Sequence, residues 1–337
     1  MLRVPYQELF DALLRELLKL NFDPDRARKC AQLFAEANRD GVYSHGLNRF
    51  PLFVSMVRSG VIDANAEPVM LASHGPLERW DGKSGPGNLN AYRCMERAIE
   101  LSRELGMGCV ALANTNHWLR GGSYGWQAAE ARVIGICWTN TLANLPPWGA
   151  TDPRVGNNPL VIAVPRAEGH LVLDMAMSQF SYGALASYRM RGELLPVDGG
   201  FDTDGRLTRD PEAIEKSQRP LPVGFWKGSG LALMLDLIAV VLSGGKSTYQ
   251  IPVDPARETA LSQTFIAFDS AVLGSSMGTS AEEVVDRVIQ FFQLPPNGIG
   301  ERVRYPGERV LKTRKESLKD GVLVDPSIWR QVQEGKL

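Results

Sequence analysis

Apolar positions near the start of the chain recur at helical spacing: Leu9, Phe10, Leu13, Leu14, Leu17 and Leu18, then, after a turn-forming stretch at 21–24, Ala31, Leu33, Phe34 and Ala37. That period predicts two amphipathic helices. A third is expected from Ser44, a good N-cap, to Arg58 ahead of Gly60, with Pro51 either kinking it or marking a later start. From about residue 100 the pattern changes to short apolar runs at 108–113, 134–139, 160–164 and 171–175, punctuated by Gly, Pro and Asn, which read as strands. Between them 88–105 and 123–130 read as helices, so strands and helices interleave within one large domain. Residues 198–206 form a turn-rich connection. The run 231–242 is apolar on nearly every side, as expected of a helix packed inside the molecule. A strand at 264–268 and an amphipathic helix at 281–292 follow, and the polar tail ends in a segment around Ile328 and Trp329 that packs back.

The chain has 337 residues, about twice an ordinary single domain of ~100–200, so a sizeable core is available. Lys and Arg total 37 against 38 for Asp and Glu, a net charge of -1, which leaves no overall field for nucleic acid or an acidic membrane. With 44% hydrophobic and 22% charged residues the composition is that of a folded globular protein. The cysteines, Cys30, Cys94, Cys109 and Cys137, form no C-x-x-C pair and read as buried reduced thiols. The N-terminal segment is broken by charge, unlike a signal peptide, and 231–242 falls short of the ~20 residues that cross a bilayer. A cytoplasmic location follows as the expectation.

Familiar nucleotide motifs are missing. Gly228-Ser229-Gly230 lacks the third glycine of a Rossmann turn, and Gly245-Lys246-Ser247 lacks the first glycine of a P-loop, where Val240 stands instead. No close His/Cys ligand set occurs, which disfavours a metal site. Trp226-Lys227-Gly228 precedes the apolar helix, and free amides, the helix dipole and the lysine charge there suit an anion; a plain glycine turn is the alternative. Ser44-His45-Gly46 with Arg49 would place an imidazole and a guanidinium four residues apart on one helix face. A guanidinium grips a carboxylate while a protonated histidine serves an adjacent carbonyl oxygen, as reduction of a 2-keto acid requires. The alternative is a surface histidine beside a structural ion pair. A second polar cluster, from Asn114 through His117 to Arg120 and Gly122, follows a strand, where functional loops concentrate.

Taken in order, Ser44-His45-Gly46 with Arg49, Asn116-His117, Gly156-Asn157-Asn158-Pro159, Asp174-Met175-Ala176, Lys227-Gly228 and Pro306-Gly307-Glu308 resemble the malate/L-lactate dehydrogenase family of NAD(P)-dependent oxidoreductases. The longer matches at 43–50, 117–126 and 146–149 look most like its branch acting on 2,3-diketo-L-gulonate. The resemblance covers nearly the whole chain. It implies an α/β (α+β-like) fold with a non-Rossmann NAD(P)-binding domain at 76–279, built on a large, mostly antiparallel sheet. A helical portion from 1–75 with 280–337 would carry substrate and dimer contacts. It further implies reduction of a 2-keto sugar acid with His45 as general acid, Arg49 on the substrate carboxylate, Ser44 in support and His117 at the substrate. Asp174, Met175, Ala176, Trp226, Lys227, Gly307, Glu308 and Asn158 would form the cofactor site. The implied cofactor is NAD, as NADH by branch, with NADPH left open; the implied partners are a small 2-keto acid and a second copy of the chain, with no metal. Malate, lactate, ureidoglycolate or a cyclic imino acid are the alternative substrates, and a catalytically silent nucleotide- or metabolite-binding protein is the alternative of another class.

Overall fold

In the computed structural model, which describes residues 2–273, 279–294 and 302–337, the opening helical period becomes α1 (Tyr6–Lys19) and α2 (Pro24–Arg39). Asp23 caps α2 by accepting the amides of Asp25 and Arg26, and Pro24 occupies the first turn, where its missing N–H is no loss. The single helix expected from Ser44 does not form. Tyr43–His45 and Leu47–Arg49 are separate 3-10 turns on either side of Gly46, and α3 (Phe50–Arg58) starts later, with Pro51 in its first turn. Pro51 has no N–H to bond the carbonyl four residues back, and its ring fills that space, so the helix cannot extend backward. His45 and Arg49 therefore do not share a helix face.

The strands are β1 (Leu2–Val4), β2 (Val69–His74), β3 (Leu77–Asp81), β4 (Met107–Asn116), β5 (Ile134–Thr139), β6 (Leu160–Val164), β7 (Leu171–Met175), β8 (Gly200–Phe201), β9 (Leu207–Thr208), β10 (Thr259–Phe268) and β11 (Val322–Val324). Seven of them form one sheet in the order β2-β3-β4-β10-β5-β6-β7. Its pairings are antiparallel except β3 with β4. The remaining helices are α4 (Gly87–Leu105), α5 (Gly122–Glu130), α6 (Tyr182–Arg191), α7 (Pro211–Ser217), α8 (Trp226–Ser243), α9 (Ala281–Phe292), α10 (Glu308–Asp320) and α11 (Pro326–Glu334). The parallel pair is the one joined through a crossover helix, α4, as parallel geometry demands.

Alternation along the strands divides the core. Val110, Leu112, Cys137, Val161 and Phe265 pack under α4 and α5, whereas Trp138, Met177, Ala232, Leu235 and Ala239 form a second layer beneath α8. Gly108 permits the first contact, because a Cβ there would stand 2.2 Å from the Ala98 carbonyl of α4. A third core joins α1, α2 and α3 to Val322, Val324, Trp329 and Val332, so both ends of the chain share it. The four thiols are free and buried, and burial pushes that of Cys30 up to about 12.

Helix α8 departs from expectation. Gly228, Ala232, Leu235, Asp236, Ala239 and Ser243 are buried against the sheet, while Leu231, Met234, Leu237, Ile238 and Val241 lie exposed. The helix is 18 residues long and, by length and apolarity alone, passes for a membrane span, unlike the shorter run read from the sequence. It is half-buried because its small residues and Asp236 meet the sheet: Asn140 donates to the Asp236 carboxylate at 2.8 Å, and Trp138 Nε1 donates to the Leu235 carbonyl at 2.9 Å.

Candidate active site

Position 46 fixes the histidine turn. Asn38, fully buried near the end of α2, accepts the Leu47 amide at 2.5 Å and donates to the Leu323 carbonyl at 3.1 Å, tying the 3-10 turns to β11. Gly46 passes so close that a Cβ would lie 1.9 Å from the Asn38 Oδ1. Glycine is therefore required after Ser44-His45 for packing, and the turn holds the His45 ring 5.8 Å from that of His117, nearly parallel at 19°.

The two rings differ in their partners. His117 Nδ1 accepts the Leu119 amide at 3.1 Å. An amide only donates, so Nδ1 is the acceptor and the ring proton sits on Nε2. His45 Nδ1 lies 2.8 Å from the Ser44 hydroxyl, which can take either role. Burial, with Arg49 and Arg120 nearby, lowers the His45 pKa to about 4. Burial, Arg49 and His45 hold His117 well below the usual imidazole range. Both rings are neutral near pH 7 in this state.

Arg49 faces Glu258, with Nη2 to Oε2 at 3.4 Å, and Glu258 Oε1 accepts the Leu142 amide, also at 3.4 Å. Burial pushes the Glu258 carboxyl up, against the pull of Arg49. Behind the histidines, Asp40 accepts from Arg39 at 2.8 Å, Arg120 at 2.6 Å and Arg314 at 2.7 and 2.8 Å. Though fully buried, its carboxyl is held below the usual range because these hydrogen bonds and charges outweigh desolvation. The cluster anchors the loop carrying His117 to α2 and α10. Neither Asp40 nor Glu258 stands in a sequence motif; each acquires its role through partners distant in the chain, as Arg314 and Arg49 show.

The expected cofactor residues gather mainly along β7, an edge strand. Asp174 Oδ2 accepts the Gly122 amide at 2.7 Å, which brings the His117 loop to the strand, while Met175 and Ala176 are half-buried at its end. Val172 donates to the Pro306 carbonyl at 3.0 Å, and Gly307 follows at φ 96° with its backbone against Val172, where a Cβ would stand 3.0 Å from the Val172 nitrogen. Glu308 accepts from Arg302 through Oε1, whereas its buried Oε2 has no partner among the described residues. At the other end of the strand the Val223 amide donates to the Met177 carbonyl at 2.7 Å, so the first turn of α8, with exposed Trp226 and Lys227, adjoins β7. Trp148 bonds Ser229 through its amide and packs against Phe225 with ring centroids 4.9 Å apart. Asn158 is buried, accepts the Thr141 amide at 3.0 Å and donates to the Ala232 carbonyl at 2.8 Å, bracing α8. The unspent Glu308 oxygen, the close backbone at Gly307 and the charged α8 N-terminus fit a ligand with hydroxyls and anionic groups. A cavity of 490 Å³ lies against the Asp40 cluster between α2, α4, α5 and α10 and touches neither histidine.

A family model described as malate/L-lactate dehydrogenase matches residues 4–333. The sequence is 44% identical over 334 residues to 2,3-diketo-L-gulonate reductase from Escherichia coli (strain K12 / DH10B), spanning 98% of this chain and 99% of that protein. A solved structure of delta1-piperideine-2-carboxylate reductase from Pseudomonas syringae pvar.tomato superposes with TM-score 0.86 at 28% identity, covering 99% of each chain. A dehydrogenase from Sinorhizobium meliloti superposes with TM-score 0.88 at 27% identity, covering 100% of this chain and 98% of that one.

Proposed function

Because the chain belongs to the malate/L-lactate dehydrogenase family and is an oxidoreductase, we propose that it reduces a 2-keto sugar acid, 2,3-diketo-L-gulonate to 3-dehydro-L-gulonate. The observation that carries this reading is the convergence of His45, His117 and Arg49. A reduced nicotinamide cofactor supplies the hydride when bound. Asp174, Met175, Ala176, Trp226, Lys227, Gly307 and Glu308 would hold it, with Asn158 bracing the helix that carries Trp226 and Lys227. NADH is the reduced form favoured by the resemblance to the diketogulonate branch.

Arg49 binds the substrate carboxylate through its planar fork, which fixes the neighbouring carbonyl toward the histidines. His117, held neutral by the Leu119 amide, offers a permanent Nε2–H donor to the substrate. His45 delivers the proton to the carbonyl oxygen as the carbonyl carbon gains hydride, giving the 2-hydroxy acid. Ser44 orients its ring through Nδ1. Arg49 is one of the charges holding His45 neutral, so a carboxylate on Arg49 relieves that depression and lets His45 take up its proton with the substrate in place.

The working form is a homodimer in the cytoplasm, where the buried thiols stay reduced. Leu231, Met234, Leu237, Ile238 and Val241 on α8, with Val284, Val288 and Phe291 on α9, leave apolar stripes that a second copy would cover. The reading is tested by the absorbance of reduced nicotinamide with purified protein and a panel of 2,3-diketo-L-gulonate, pyruvate, oxaloacetate and a cyclic imino acid, using NADH and NADPH in parallel. NADH consumption with diketogulonate preferred is expected. Consumption with another substrate preferred would sink the substrate assignment, and none with any substrate would sink the reductase.

A further inference from the structure

Glu258 is a buried carboxylate, 5% exposed at its side chain, whose two partners both stand at 3.4 Å, the long limit for a hydrogen bond. An ionised carboxylate offers about four acceptor positions, and leaving a buried one under-satisfied is costly. Elsewhere this chain satisfies such a group fully: Asp40 receives three arginines at 2.6–2.8 Å. Glu258 instead meets one guanidinium nitrogen loosely, which leaves the Arg49 fork open to a second carboxylate. Its position is set by an irregularity in β10. Thr259 pairs with Asn116, the neighbour of His117, and the register then slips between Thr259 and Leu261, with Ala260 at φ 60°. A left-handed alanine is strained, and a bulge of this kind re-aims the chain at its flank. Glu258 thus sits beside both the histidine loop and Arg49 with acceptor capacity to spare.

We propose that Glu258 is a specificity-determining residue whose carboxylate accepts a hydroxyl of the substrate chain beyond the acid group held by Arg49. The inference rests on the proposed reduction of a 2-keto acid at this site. It selects hydroxylated monoanions. A substrate lacking the hydroxyl leaves the acceptor unpaired, and one with a second carboxylate brings like charge against it.

The test compares wild type with Glu258→Gln, measuring kcat/KM for 2,3-diketo-L-gulonate, pyruvate and oxaloacetate. The variant is expected to lose about 10-fold or more of its preference for diketogulonate over pyruvate, and to gain about 10-fold for oxaloacetate over pyruvate, the scale of one charge-assisted hydrogen bond. A purely structural Glu258 would depress all three alike and leave both ratios unchanged, which overturns the proposal. A wild type inactive on all three would overturn the parent reading itself, so the two failures are distinct. Should the variant not fold, competitive inhibition of wild type decides: L-gulonate, a hydroxylated monoanion, is expected to bind about 10-fold tighter than malonate, an unhydroxylated dianion. Equal or reversed affinities would contradict the role.

Discussion

His45 and His117 are the same residue type, and in the proposed reaction single hydrogen bonds hold them to different tasks. The Leu119 amide blocks protonation of His117 at Nδ1, whereas the Ser44 hydroxyl beside His45 accommodates either protonation state. In the proposed reaction only His45 is then free to cycle a proton. Its pKa of about 4 in the resting site is depressed first by burial and then by Arg49 and Arg120. A substrate carboxylate on Arg49 cancels part of that depression, so the pKa rises in the complex. Reduction requires the protonated ring, and its rate therefore falls as pH rises through the relevant pKa. The descending limb of kcat is expected at higher pH than that of kcat/KM, because the first reports the complex and the second the free enzyme. Coincident limbs in the two profiles would contradict the linkage. The same depression makes folding sensitive to acid: the unfolded ring titrates near 6.5 and the folded one near 4, so stability held above 6.5 is lost as pH falls through that window.

Among the elements, α8 shows how periodicity misleads. Its residues are apolar all round, which reads as full burial, yet small Gly228, Ala232 and Ala239 face the sheet and large Leu237 and Val241 face outward. Close approach to the sheet favours the small residues, and the bulky ones are left for another surface. A double substitution, Leu237→Glu with Val241→Glu, is expected to convert a dimer to a monomer in sedimentation equilibrium while leaving the fold intact, since neither residue touches the core. A wild type that sediments as a monomer, or a variant that stays dimeric, would remove α8 from the interface. The histidine turn shows a related limit: Ser44 suggests the cap of a longer helix, but Pro51 and the contact of Gly46 with Asn38 impose two short turns instead, with the helix starting later.

For the molecule as a whole, what was legible followed burial. The strands at 134–139, 160–164 and 171–175 stand where the apolar runs predict them, because alternate side chains are buried on the two faces of the sheet. β2 is exposed at all six residues and carries no such pattern, and β10 begins five residues ahead of its predicted start, in a bulged segment. Ser44, His45, Arg49 and His117 were readable as polar motifs, whereas Glu258 and Asp40 acquire meaning only through partners far along the chain. The same holds for the segments expected to hold the cofactor, which three stretches of sequence bring to one strand edge. The account stands on His45 as the proton donor. Its most direct test is the single-turnover rate of NADH oxidation with 2,3-diketo-L-gulonate by wild type and His45→Asn, with NADH binding followed separately by fluorescence. The prediction is a rate lowered by ~10²–10⁴ with cofactor affinity unchanged, the loss of a general acid. An undiminished rate in the variant would contradict it.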